Sequence, residues 1–288
     1  MENQQISQDE STTNRSTAST SVSQVCWKID AGNESRYIDS NQFPNHATSN
    51  FPNANVTATA YSKIVDLSPE PYVYDETSGP TYSNKNFYKF GIATNGLGYN
   101  PMGLKPWKNP FKDERNWNWQ AGVVNKGNMD SDAFGAHVAS AEVYHYHGDI
   151  VGLALDGDGS RHSLIYSFTA DGSPICYKYG YNDPSDPSSG ITELKLSYQL
   201  KSGSRHGDCF SAPDDMYGEY IQDYEFNSSL SSFFDIYPDE CNDRTGITTE
   251  YPDSTYYYVL TNEFPKISNC FKGTPNKSGS KGFVIGEG

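Results

Sequence analysis

Tyr144-His145-Tyr146-His147-Gly148 alternates two kinds of side chain with a period of two. That is the period of a β-strand, where residues i and i+2 share a face and i+1 points the other way. Read as a strand, the stretch projects His145 and His147 together and sends Tyr144 and Tyr146 to the opposite face. Two imidazoles on one face can grip one metal ion or serve one reaction centre. His137, eight residues before His145 in Gly135-Ala136-His137-Val138, joins them if the chain turns between Ala139 and Glu142. His162 follows a turn signal at Asp156-Gly157-Asp158-Gly159. A strand over 150–155 that runs out and returns would bring His162 to the same end, as a fourth candidate.

Outward from this stretch the chain keeps the same character. Its 25 Gly and 16 Pro, with abundant Asn, Asp and Ser, punctuate it every few residues. Tyr (22) and Phe (14) favour strands. No stretch of about 12 residues repeats apolar side chains at helical spacing. Strands are expected at Cys26-Trp27-Lys28-Ile29, over 55–61, 87–93, 143–147, 164–168 and 194–200, and most strongly at Thr255-Tyr256-Tyr257-Tyr258-Val259-Leu260. The 143–147 strand is expected at the centre, 67–86 as a loop and 98–135 as a long irregular segment. The fold class expected is mainly β: a single β-sandwich or jelly-roll-like domain with long loops over residues 25–273. Residues 1–24 are almost wholly polar and read as a disordered leader, and 274–288 as a flexible tail.

Composition narrows the function. The net charge is −15 and no cluster of Lys and Arg is visible, which excludes a nucleic-acid surface. No apolar run approaches the roughly 18 residues of a transmembrane segment. The chain opens with no export signal, but its leader is like the polar tether of a lipid-anchored envelope protein. The expectation is an extracellular or cell-envelope protein whose natural signal or lipid anchor is absent from this chain. Of the five cysteines, none forms a Cys-x-x-Cys pair. Cys241 and Cys270 flank the 255–260 strand, and a disulfide there would close a loop of about 30 residues, worth ~3 kcal/mol. The pairing of Cys26, Cys176 and Cys209 stays open.

Further segments accompany the central motif in order. They are Ala136-His137-Val138, His162-Ser163-Leu164-Ile165, Ala170-Asp171-Gly172-Ser173-Pro174-Ile175 and Tyr179-Gly180-Tyr181. Leu200-Lys201-Ser202-Gly203-Ser204-Arg205, Gln222-Asp223-Tyr224-Glu225-Phe226 and Asp239-Glu240-Cys241-Asn242-Asp243-Arg244-Thr245-Gly246 follow. Glu250-Tyr251-Pro252, Thr255-Tyr256 and Phe264-Pro265 complete the set. Over residues 87–273 the chain thereby resembles the YHYH family, named for the motif at 144–147. The resemblance implies an often exported protein and carries no settled activity with it. An aromatic is usual in the family where Ser173 stands, and Tyr-Gly where Cys176-Tyr177 stands.

The chemistry that suits these residues best is metal binding. Three imidazoles with an open position suit Zn or Cu, held by His137, His145, His147 and, as fourth candidate, His162. Glu142, Asp149 and Asp171 are placed to orient an imidazole or take a proton from metal-bound water. Calcium is a secondary alternative. The Asp156-Gly157-Asp158-Gly159-Ser160 stretch begins like a calcium loop, but position 12 is Ser167 and not an acid. Serine hydrolysis lacks a Gly-x-Ser-x-Gly elbow, and Ser163 and His162 point to opposite faces of a strand. Whether the protein is an enzyme is left open. The alternative is a carbohydrate- or partner-binding envelope module in which the His cluster is structural. His46 and His206 are weaker ligand candidates, and Arg244 is expected to clasp Asp239, Glu240 or Glu250.

Overall fold

Val25-Cys26-Trp27-Lys28 alternates inward and outward residues, and it lies in one strand of a four-stranded antiparallel sheet. That sheet runs in chain order through β1 (Gln5–Ile6), β2 (Val25–Asp30), β3 (Ser35–Ser40) and β4 (Tyr61–Asp66). The computed structural model describes residues 5–6, 22–49, 51, 55–69, 86–100, 103–112, 114–122, 131–138, 143–148, 158–203, 213, 218–233, 236–268, 270–276 and 284–287. Gln5–Ile6 is thus a strand within the expected leader, whose other residues up to 21 lie outside the described ones. In register, Trp27, Ile38 and Lys63 form one row across β2–β4, and Val25, Ser40 and Tyr61 form the next row on the same face.

That face lies on a second, eight-stranded sheet. From one edge it runs Ala136–Val138 (β10), Tyr144–Tyr146 (β11), Gly98–Tyr99 (β7), Gly91–Ala93 (β6) and Ile165–Thr169 (β12). It continues through Pro174–Cys176 (β13) and Thr255–Val259 (β19) to Asp243–Gly246 (β18). Trp27 packs 5.7 Å from Phe168 between ring centroids and donates its indole N–H to the Thr94 carbonyl at 3.0 Å. The Arg36 guanidinium lies 4.0 Å above the same Phe168 ring. Ile38 and Val65 of the small sheet share one apolar cluster with Ile92, Tyr99, Ile175 and Tyr258 of the large one. The expected mainly β fold is present, as two sheets on a common core.

The large sheet is mixed. β11 runs parallel to β7, and β13 parallel to β19. β11 was expected at the centre but lies second from the edge, because β10 folds back antiparallel beside it. The expected 87–93 strand is split. Asn86–Tyr88 (β5) pairs with Val284–Glu287 (β20), while β6 joins the large sheet. Gly91 permits the close packing of β6, since a Cβ there would lie 2.3 Å from the Phe168 carbonyl oxygen. The β5–β20 pairing also places a strand in the segment read as a flexible tail.

The segment 98–135 is more regular than expected. Gly103–Lys108 (β8) and Arg115–Gly122 (β9) form a hairpin there. The alternation Asn116-Trp117-Asn118-Trp119 carries the strand period in sequence. Smaller ribbons pair Tyr179–Tyr181 (β14) with Ile191–Glu193 (β15), and Tyr198–Leu200 (β16) with Tyr224–Phe226 (β17). Among the described residues the α-helix is the six-residue α1 (Ser228–Phe233), and no helix is long and apolar enough to cross a membrane. Cys241 and Cys270 form the expected disulfide, with Cα atoms 5.2 Å apart.

Candidate metal centre

The strand period at 144–147 acts as the sequence implies. Tyr144 and Tyr146 are fully buried on one face. There they pack against Tyr99, Phe51 and His46. Burying such rings stabilises the strand by about 1.5–3 kcal/mol each. The Tyr144 hydroxyl donates to Asp132 Oδ2 at 2.6 Å, and Asp132 Oδ1 accepts from the amides of Phe134 and Ala136. Burial first, then Tyr146 and Asp132, push the Tyr144 hydroxyl far above its ordinary range, so it stays a donor. This contact ties β11 to the segment that leads into β10.

The opposite face collects the histidines. His137 of β10 stands directly across from His145 of β11 in the ladder. The Nε2 atoms of His137 and His145 are 3.1 Å apart, and those of His145 and His147 are 2.8 Å apart. All three ligand atoms lie within 4.8 Å of one another. His145 and His147 are buried, while His137 is half-buried and opens the cluster on one side.

The tautomer of His145 is set by its other nitrogen. Nδ1 lies 2.9 Å from the Val143 carbonyl, an acceptor, so Nδ1 carries the proton and Nε2 presents its lone pair to the cluster. Burial is the largest influence on this ring and lowers its pKa to about 3. The neighbouring His137 lowers it further, the Val143 contact opposes, and Lys89 adds to the lowering. His145 is therefore neutral at physiological pH. Its single lone pair faces two imidazole nitrogens and can accept from only one N–H at a time. A cation between the three nitrogens satisfies all of them together. Tetrahedral zinc with Zn–N of about 2.0–2.1 Å spaces its nitrogens about 3.3 Å apart, so the His145–His147 pair, the tighter of the two measured contacts, opens by only about half an ångström.

His162, the expected fourth ligand, is placed elsewhere. Its ring packs against Tyr181 and Tyr257, at 5.0 and 5.5 Å between centroids, and Nδ1 lies 2.8 Å from the Ser163 carbonyl. Tyr257 belongs to β19, five strand spacings or about 24 Å across the sheet from β11. The chain after the motif returns His162 to the far end of the sheet. Asp171, expected beside the cluster, sits at the β12–β13 turn with its carboxylate fully engaged. It accepts from Tyr258 Oη at 2.6 Å, from the Gly273 amide at 2.9 Å, from the Ser173 amide and from the Thr169 hydroxyl. Its part is to fasten that turn to the C-terminal segment. Glu142 and Asp149, also expected to orient a histidine, lie outside the described residues, as do His206 and Cys209.

His46 is not in the cluster either. Its ring stacks 3.9 Å from Phe134, and Nε2 lies 2.7 Å from the Tyr146 hydroxyl, on the tyrosine face of β11. Arg244 holds no carboxylate among the described residues; its guanidinium donates to the carbonyls of Tyr181 and Asn182. Lys272 takes the acids instead, at 2.8 Å from Asp239 and 2.5 Å from Glu240. In the calcium-like stretch, Asp158 accepts from the amide and hydroxyl of Ser160, as an Asp-Gly turn does. Sequence reading missed Asp132 and the Val143 carbonyl as supports of the site. Asp132 carried a signal, standing four residues before Ala136 where a turn must enter the strand.

No curated protein and no solved structure matches this chain. The family model described as YHYH protein matches residues 70–273, beginning earlier than the motifs alone suggest and taking in both β10 and β11. The chain belongs to the YHYH family.

Proposed function

We propose that this protein holds a transition metal, zinc or copper, through His137, His145 and His147. The observation that carries the reading is the grouping of three imidazole nitrogens within 4.8 Å of one another, with the His145 tautomer fixed by the Val143 carbonyl. Three imidazoles leave a coordination position open, and the half-buried side at His137 gives water or a ligand a way to it. A metal there would lower the pKa of bound water toward ~7 and polarise an oxygen ligand. Metal-assisted hydrolysis is the reaction class this arrangement serves best. The Cys241–Cys270 disulfide favours an oxidising compartment, outside the cell or in its envelope.

The test is elemental analysis of the untagged protein beside a His145→Ala/His147→Ala double variant. About one equivalent of zinc or copper, lost in the folded variant, supports the reading. No metal after reconstitution would falsify it. Retardation on polysaccharide gels that survives chelation would then favour the carbohydrate-binding alternative.

A further inference from the structure

Gly98 is the strand partner of His145 in the parallel β11–β7 pairing. Paired residues share a face, so the missing side chain of Gly98 leaves a notch beside the His145 ring, one strand spacing of about 4.8 Å away. The notch is lined by hydrogen-bond donors. A Cβ placed on Gly98 would lie 3.5 Å from Lys89 Nζ and 3.5 Å from Tyr61 Oη. Both groups reach this place from outside β7 and β11. Tyr61 comes from β4 of the small sheet, and Lys89 from the link between β5 and β6.

Two observations mark the notch as more than packing. Tyr61 Oη is buried and has no hydrogen-bond partner among the described residues. A hydroxyl left so costs about 1–3 kcal/mol unless something fills its bond. Lys89 is paired with no carboxylate among the described residues. Its ammonium lies 4.4 Å from the Tyr61 ring centroid, and that of the buried Lys63 lies 4.8 Å from the same ring. Two ammonium groups therefore flank one phenol beside three imidazoles, in a chain whose net charge is −15. Burial, then the charge of Lys63, lower the Lys89 pKa to about 8, as befits a cation lacking its counter-ion.

We infer that the notch above Gly98 binds an anionic oxygen, the carboxylate or phosphate group of a small-molecule ligand, with Lys89 and Tyr61 as donors. This rests on the metal-centre reading, since the notch adjoins the ring of His145, one of the three proposed ligands. An oxygen seated just above Gly98 is within hydrogen-bond reach of Nζ and Oη together. It fills the bond that Tyr61 lacks and neutralises the lysine charge. Lys63 adds long-range attraction.

The experiment is calorimetric titration of inorganic phosphate, and separately of acetate, into the zinc-loaded full chain. The same titrations are made on Lys89→Gln, Tyr61→Phe and Gly98→Ala, with metal content measured in each and folding checked by circular dichroism. Gly98→Ala is the sharpest variant, because its methyl meets its neighbours at ordinary contact distance and so fits while filling the notch. At least one anion is expected to bind, and the tighter one names the group. Binding should weaken about tenfold in Lys89→Gln. It should weaken several-fold in Tyr61→Phe and be lost in Gly98→Ala, with metal content unchanged. Metal uptake without anion binding, or equal anion binding in all folded variants, overturns the notch and leaves the metal centre standing. Failure to take up metal overturns both.

Discussion

His137 and His145 face each other across the β10–β11 ladder with their Nε2 atoms 3.1 Å apart, and His147 adds its own Nε2 at 2.8 Å from that of His145. The single lone pair of neutral His145 faces two imidazole nitrogens at once, and a cation would bind all three, so metal binding and folding should be coupled. A ligand at about 100 times its Kd stabilises the native state by ~2.7 kcal/mol. For a domain of this size that corresponds to a rise of about 5–10 °C in Tm. Zinc added to the metal-free protein should raise the calorimetric Tm by this amount, and a chelator should reverse it. The His145→Ala/His147→Ala variant should show no shift.

Protons compete for the same nitrogens. In the metal-free fold the His145 pKa is lowered to about 3, mainly by burial, against an ordinary value of 6.5. Between those values the unfolded chain holds the extra proton and the folded chain does not. Stability from this residue is therefore complete above about pH 6.5 and is lost as pH falls toward 3. Urea midpoints of the metal-free protein should fall between pH 7 and pH 5. The fall should be smaller in His145→Gln, which has no proton to take up there. An identical fall in both proteins would remove His145 from the acid response.

How much of this was legible depends on the length of chain a residue's partners span. The His137, His145 and His147 grouping could be read because strand period and one short return place them, all within eleven residues. The position of His162 could not, because it depends on which end of the large sheet the chain returns to. The parallel β11–β7 and β13–β19 pairings leave no mark in local alternation. Asp171 sits at the β12–β13 turn, where Thr169 and Ser173 are its local partners. Its partners Tyr258 and Gly273, however, are 87 and 102 residues away, and no local pattern names them.

The Asp171 carboxylate separates fold from site. It is fully buried and accepts from two amides and two hydroxyls. Asp171→Asn would replace an acceptor oxygen by an NH₂ group facing donors. Breaking such a buried charged network costs on the order of 3 kcal/mol. The variant should unfold at clearly lower urea, while its folded fraction keeps the metal stoichiometry and affinity of the parent. Loss of metal from folded Asp171→Asn would return this residue to the metal centre.

Tyr144 supplies the opposite case, a residue off the metal that should nonetheless govern it. Its hydroxyl bond to Asp132 holds the segment from which β10 delivers His137. Tyr144→Phe removes a hydrogen bond to a charged group, costing about 1.5–3 kcal/mol. Supports one step removed from a metal typically change affinity by about 10- to 100-fold. Zinc affinity, measured by competition with a chromophoric chelator, should fall within that range while the stoichiometry at saturation stays at one. Tyr146→Phe loses contacts to His46 and Asn95, neither of which carries a ligand. It should therefore destabilise the fold yet leave zinc affinity within about threefold of the parent. Equal losses of affinity in the two variants would show that both tyrosines act through stability alone, and not through the placement of His137.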